Sequence, residues 1–404
     1  MNPTPCKKLC VCETPISRYS VVKKIALLTL SFLGLNFSNA ANLSIGNIIV
    51  ERVGDGVATL GSGATGVALV EYSTSGTAIQ TITFPSTGSS QLTEAGTGNS
   101  AGYVNSYNGL VAVTGYNSPG GTSTVASQNT KVTSILDNSG SVVTRTVYPT
   151  GGPTGTPPSP FSGSNIRSAI ATSSSTFYAS GTSSGSPSTQ GVWYNNGTSF
   201  TQLASANARN IEIYNNQLFY SAAAGVFRLG NGLPTTAGAT PTQVINVSGG
   251  SVYGFLMFDT NSDSLLDTAY TADDGASAGK GLSKWTSVDG NSWTQSWSLL
   301  INASNALQAT AATGFSGFRG LSGTYENGVA TLFAISSTET NNNRLLQILD
   351  NGTAPTTATT LATSGGNYAF RGVDIVTVPE PSSATLLGLG FLALLGVRRL
   401  NRKA

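Results

Sequence analysis

Short runs of β-branched and aromatic residues, each bounded by Gly, Asn, Asp or Ser, recur from Asn42 to Thr377, and no stretch between them carries the apolar spacing of a helix. Asn47-Ile-Ile-Val-Glu-Arg-Val53, Val67-Ala-Leu-Val-Glu-Tyr72 and Ala78-Ile-Gln-Thr-Ile-Thr-Phe84 read as three strands, separated by turns at Gly54-Asp55-Gly56 and at 73–76. The pattern then repeats. Asn165-Ile-Arg-Ser-Ala-Ile-Ala171 leads to Ser175-Thr-Phe-Tyr-Ala-Ser180 and Gly191-Val-Trp-Tyr194. Ala208-Arg-Asn-Ile-Glu-Ile213 leads to Gln217-Leu-Phe-Tyr-Ser221 and Gly225-Val-Phe-Arg-Leu229. Units opening at Tyr253 and Gly317 follow the same order. Four short strands recurring every ~40 to 60 residues are the signature of propeller blades. The last opening strand, Tyr368 to Ile375, is cut off by Pro379 and Pro381, and the first unit lacks an opening strand. Joining the two completes a blade and removes two exposed edges. The expected fold is therefore an all-β propeller of six blades, or seven if the gap after Tyr103 or after Tyr253 holds another. A β-helix or a pair of sandwiches is the rival reading. The proline-rich stretch from Pro149 to Ser164 is expected to be an extended loop.

Composition narrows the chemistry open to such a body. Residues 41–397 carry 11 Lys and Arg against 17 Asp and Glu, a net charge of −6, so a nucleic-acid partner is not expected. The chain has no histidine, and its three cysteines, Cys6, Cys10 and Cys12, all lie near the N-terminus. Body disulfides, Cys or Cys/His zinc sites, thiol nucleophiles and Ser-His-Asp triads are thereby excluded. The cysteine cluster reads as a metal or redox device, as part of an over-long basic leader, or as a consequence of a true start at Val22.

Both ends read as addresses. Lys23 and Lys24 precede an apolar run from Ile25 to Leu35, and Ser38-Asn39-Ala40 follows, the charged, hydrophobic and small-residue parts of a signal peptide. Residues 1–40 are assigned to it, with cleavage after Ala40 and export through the Sec translocon; an N-terminal core helix is the plainer alternative. At the other end Val378, Pro379, Glu380 and Pro381 precede an apolar run from Ala384 to Val397, and Arg398 and Arg399 open a basic cluster. The run is short for a membrane helix, which takes ~20 residues, and the basic end is expected to stay cytoplasmic. Residues 378–404 thus form a short transmembrane sorting helix with its motif, and 41–377 the body. This order resembles the PEP-CTERM sorting signal of Gram-negative bacteria. The resemblance implies an exosortase partner, processing near Pro379-Glu380-Pro381, residence in the inner membrane during sorting, then in periplasm, cell surface or extracellular matrix, and an association with exopolysaccharide. A plain C-terminal membrane anchor is the alternative.

Three groups in the body are candidate sites. Arg167, Arg209, Arg319 and Arg371 fall at one place in four units, before the apolar part of the opening strand, where a propeller would ring them around one mouth of its tunnel. They would bind carboxylates of a glycan, or bond carbonyls of neighbouring blades. Asp259, Asn261, Asp263 and Asp267 have calcium-loop spacing, although Ser264 and Tyr270 stand where an EF-type loop has Gly and Glu, and Asx turns explain the same residues. Ca²⁺ is the only cofactor suggested. Trp285, Trp293 and Trp297 flank the turn at Asp289-Gly290 and would stack on sugars or pack between blades. Paired acids for glycoside chemistry exist among Asp259, Asp273, Asp274 and Asp374, but no spacing selects two. The expectation is a non-enzymatic surface or polysaccharide-binding module. A carboxylate- or calcium-dependent hydrolase or lyase acting on matrix glycans or phosphoesters, and a purely structural surface protein, are the alternatives.

Overall fold

Hairpins built on Asn and Gly set the architecture. Asn108 and Gly109 (φ +51° and +74°), Asn215 and Asn216 (+47° and +55°), and Asn327 and Gly328 (+51° and +80°) each form a two-residue turn with both residues left-handed. That conformation matches the twist of the strands it joins and suits Asn and Gly best. Each turn connects the first strand of a meander to its second. In the computed structural model residues 41–377 are described, apart from 129, 151–158, 186 and 338–341. Both terminal addresses and the cysteine cluster lie outside the described residues.

The described chain is all-β and propeller-like, with a single turn of 3-10 helix at Val125–Ser127. Four separate antiparallel meander sheets open with the strands Ile166–Ala171, Ile211–Tyr214, Val252–Phe258 and Phe318–Glu326. A fifth, nine-stranded sheet contains both Ile48–Val53 and Leu110–Tyr116, bridged by the short strand Thr93–Ala95. The C-terminal strand Ala369–Ile375 pairs antiparallel with Ile48–Val53, with Ile48 opposite Ile375 and Val53 opposite Ala369. The expected joining of the chain's two ends is therefore present, and it gives Ile48–Val53 a partner strand on both sides.

The innermost strands form a closed circuit. Asn105–Tyr107 contacts both Ala369–Ile375 and Ile166–Ala171, which in turn touches Ile211–Tyr214. The Tyr214 hydroxyl donates to Phe255 O (3.2 Å), linking that strand to Val252–Phe258. Val252–Phe258 contacts Phe318–Glu326, and this strand returns to Ala369–Ile375. The approach is close enough to demand glycine. A Cβ on Gly372 would lie 2.4 Å from Val104 N and 2.6 Å from Gly102 O, and one on Gly320 would lie 2.8 Å from Arg371 O.

The core fills the spaces between facing sheets. Leu256, Tyr270 and Leu282 of one sheet pack on Phe318, Leu332 and Ile348 of the next. Ile170, Tyr178 and Val192 likewise meet Ile211, Leu218 and Tyr220. Each such burial contributes ~1.5 to 3 kcal/mol. Because side chains alternate along a strand, every innermost strand gives one set to this core and the other to the axis.

Candidate functional site

That alternation places two acids on the axis. In Ile211–Tyr214 the side chains of Ile211 and Ile213 enter the inter-sheet core, so Glu212 between them faces the other way. Val373 and Ile375 do the same around Asp374 in the closing strand. Both carboxyls reach a cavity of about 430 Å³ at the C-terminal ends of the innermost strands. All six of those strands contribute to its lining, with Tyr107, Ile170, Glu212, Met257, Thr324 and Asp374 each coming from a different one. Leu256, Phe258, Tyr214 and Ile45 extend the apolar wall.

Asp374 is held by three donors. Its Oδ2 accepts from Ser106 N (2.6 Å), and its Oδ1 accepts from Ser322 Oγ (2.6 Å) and Ile375 N (2.8 Å). Burial pushes its pKa up to about 6, against the pull of those hydrogen bonds. Among the described residues Glu212 has one side-chain bond, from Asn210 Nδ2 to its Oε1 (2.9 Å). Burial raises its pKa well above the usual carboxylate range, the nearby Asp374 charge raises it further, and the Asn210 bond pulls it down. Burial thus pushes both acids toward their protonated forms, with three hydrogen bonds opposing it at Asp374 and one at Glu212. The third titratable group at this point, the Tyr214 phenol, is kept neutral by burial and then by the two acids.

A buried chain of polar side chains positions Glu212. Asn105 Nδ2 donates to Ser168 Oγ (2.8 Å), and to Ala169 O and Ile211 O. Ser168 Oγ then donates to Asn210 Oδ1 (2.9 Å), which leaves the Asn210 amide nitrogen to face Glu212. Three innermost strands are thus tied to one carboxyl.

The four arginines lie at the opposite end, where those strands begin. Arg167 Nη1 donates to Asn207 Oδ1 (2.5 Å) and Ala208 O (3.0 Å). Arg209 Nη1 donates to Val252 O (2.7 Å) and Ser251 Oγ (3.1 Å), with its guanidinium 4.0 Å from the Tyr253 ring centre. Arg319 pairs with Asp274 (3.2 Å), and Arg371 Nη2 donates to Gly96 O (2.5 Å). The four do form one group: burial, then the neighbouring Arg209 charge, lowers Arg167 to about 10, and burial, then Arg319, does the same for Arg371. Tyr103 stands among them, 4% exposed, its hydroxyl without a hydrogen-bond partner among the described residues. Half of the bonds these guanidiniums make go to backbone carbonyls and half to side chains of adjoining segments, so they tie sheet to sheet at this end.

The acidic loop 259–267 connects Val252–Phe258 to Thr268–Asp273. Its side-chain oxygens accept from its own backbone: Thr260 N to Asp267 Oδ2 (3.0 Å), Asp263 N to Asn261 Oδ1 (3.0 Å), Ser264 N to Asp259 Oδ2 (2.9 Å) and Leu265 N to Asp263 Oδ1 (2.8 Å). Among the described residues no group of three or more His, Cys, Asp and Glu is arranged to hold a metal. Trp285 is buried, with Nε1 donating to Thr271 Oγ1 (3.0 Å), and Trp297 lies against Tyr270 with ring centres 5.9 Å apart. Trp293 is half-buried, and its Nε1 donates to Gly290 O (3.3 Å). Asp273 accepts from Ser251 N and Gly275 N. Of the acids considered from sequence only Asp374 reaches the cavity, and its partner Glu212 was not among them. The signal that finds Glu212 is the match of Ile211-Glu212-Ile213 with Val373-Asp374-Ile375, the same apolar-acid-apolar triplet in two innermost strands.

Residues 377–402 match the PEP-CTERM protein-sorting motif. Thr377, where the match begins, lines the cavity and bonds Ser106 through its Oγ1 (3.0 Å) and its N (3.0 Å). No curated protein matches the chain in sequence. Among solved structures, an endo-1,4-beta-xylanase from Bacteroides thetaiotaomicron is 15% identical over 48% of this chain and 70% of its own, with a TM-score of 0.31. A computationally designed protein, Ika8, is 9% identical over 83% of this chain and 92% of its own, with a TM-score of 0.36. Neither likeness is close enough to carry an argument about fold or activity. The sorting motif does carry one: it implies an exported protein, processed by exosortase and sorted to the cell surface.

Proposed function

We propose that the body is a six-bladed propeller that binds a sugar unit of surface polysaccharide in its axial cavity, and that it works by binding without turnover. The blade count treats the nine-stranded sheet as two meanders, one built on Ile48–Val53 and the other on Leu110–Tyr116, stapled by Thr93–Ala95. The observation that carries the function is the cavity itself. About 430 Å³ at the convergence of the six innermost strands, with Tyr107, Tyr214 and Phe258 beside a carboxyl pair, suits a pyranose ring, which has apolar faces and a hydroxyl rim. Sorting to the cell surface, where polysaccharide is a common ligand, supports this reading. Titration of the purified full-length chain with an oligosaccharide panel tests the reading: saturable binding lost in Tyr214→Ala is expected, and no saturable ligand would leave a purely structural surface protein.

One observation favours a second reading, glycoside hydrolysis. Glu212, pushed by burial toward its protonated form, lies beside Asp374, the acid with three hydrogen-bond donors, and such chemistry uses one carboxyl as acid and another as base or nucleophile. It predicts new reducing ends from a bound polysaccharide, abolished equally by Glu212→Gln and Asp374→Asn.

A further inference from the structure

Resting on the sugar-binding reading, we propose that the axial cavity selects a cationic amino sugar, a hexosamine unit with a free ammonium group. The lining contains two carboxyls and no Lys or Arg. Asp374 is half-buried, and its three donors are all neutral, so among the described residues its charge has no counter-ion. A partly desolvated anion without a counter-ion is unfavourable, and a ligand cation arriving at the floor of the cavity offsets that directly.

Each of the two carboxyls lining the cavity keeps acceptor capacity for a ligand. A carboxylate offers about four lone-pair positions, two per oxygen. On Asp374 Oδ1 both are taken by Ser322 and Ile375, whereas among the described residues Oδ2 accepts only from Ser106 N, which leaves one acceptor position on Oδ2. On Glu212 the chain Asn105, Ser168, Asn210 fixes Oε1 as an acceptor, so a proton held by this acid belongs on Oε2. An ammonium bridging Asp374 Oδ2 and Glu212 Oε2 displaces that proton to solvent. The balance is simple: one cation enters, one proton leaves, and the pair goes from one negative charge to two. Tyr107, Tyr214 and Phe258 add aromatic faces that favour a cation over an anion. The remaining titratable groups lining the cavity are the phenols of Tyr107 and Tyr214, and burial keeps that of Tyr214 neutral. A uronate unit would bring a third carboxylate to the same floor and is rejected.

The experiment is calorimetric titration of the full-length protein at pH 7 with three ligands of equal length: a glucosamine oligomer, its fully N-acetylated counterpart, and a galacturonate oligomer. Two buffers of different ionisation enthalpy report proton exchange. Expected are binding of the free-amine oligomer about tenfold or more tighter than the acetylated one, proton release on binding, and no binding of galacturonate. Asp374→Asn removes the preference. Glu212→Gln, which keeps the bond from Asn210, abolishes the proton release and so tests the assignment even if Asp374→Asn folds poorly. Equal or tighter binding of the acetylated oligomer without proton release overturns this inference and leaves the sugar-binding reading standing. Tighter binding of galacturonate overturns it equally. Absence of binding by all three overturns both.

Discussion

Asn210, the residue just before the innermost strand Ile211–Tyr214, lies two residues from Glu212 within it, and the amide Nδ2 of the first donates to Oε1 of the second at 2.9 Å. The direction of that bond is imposed from outside the strand, because Ser168 Oγ already donates to the Asn210 amide oxygen. A single buried amide therefore decides which oxygen of the axial acid stays available to a ligand.

Replacing Asn210 with Ala removes the one hydrogen bond that stabilises the Glu212 charge, so the Glu212 titration moves to still higher pH. The change also leaves the Ser168 hydroxyl without its acceptor, a loss of about 1 to 3 kcal/mol in chemical denaturation. Carbon-13 shifts of the labelled Glu212 carboxyl, followed against pH in both proteins, check the direction.

The axial acids make stability fall as pH rises. A carboxyl whose folded pKa is raised binds its proton more tightly when folded, so its contribution is full below the unfolded value and is lost as pH climbs through the folded one. For Asp374 the window runs from 3.8 to about 6, and Glu212 extends it upward. Urea denaturation at pH 5 and pH 8 should show a smaller drop for Glu212→Gln than for the parent chain, by about 1 kcal/mol or more. Parallel drops in the two proteins would show that Glu212 titrates normally.

Gly372→Ala drives a Cβ into backbone atoms of 102–104 that have no rotamer by which to yield, whereas Gly366→Ala points into open space. The first is expected to cost ~1 to 3 kcal/mol or more and to loosen the axis, and the second to stay within a few tenths. Thermal melts of the two variants side by side give the comparison.

Ring closure rests on Ala369–Ile375, and Phe370 anchors it, 1% exposed and edge-on to Tyr72 at 6.1 Å between ring centres. Phe370→Ala is expected to cost ~3 to 5 kcal/mol. Hydrogen exchange should then show faster exchange in Ile48–Val53, whose amides pair with that strand. Uniform exchange change across all sheets would argue that closure is not the local weak point.

Much of the fold was readable because its determinants are local. The run Ile211-Glu212-Ile213, the turn Asn215-Asn216 and the run Gln217 to Ser221 specify a hairpin in about ten residues, and the proline stop after Ile375 exposed the unfinished last unit. The arginine positions were readable too, since they recur in register; the backbone carbonyls that Arg167, Arg209 and Arg371 meet were not, because a carbonyl has no identity in sequence. Asp259 to Asp267 shows the converse limit: its spacing suits both a cation and Asx turns, and only the backbone path shows the oxygens bonded to amides of the same loop.

What the sequence determined alone was the all-β body, the pairing of its two ends and the export address, each written in neighbouring residues or in a motif such as Val378-Pro379-Glu380-Pro381. Only the tertiary structure decided that Glu212 and Asp374 share a site. They lie on strands from different sheets, and the ring alone brings them within electrostatic reach. Burial there raises both pKa values, and burial is a property of the assembled fold, of which a strand in isolation carries none.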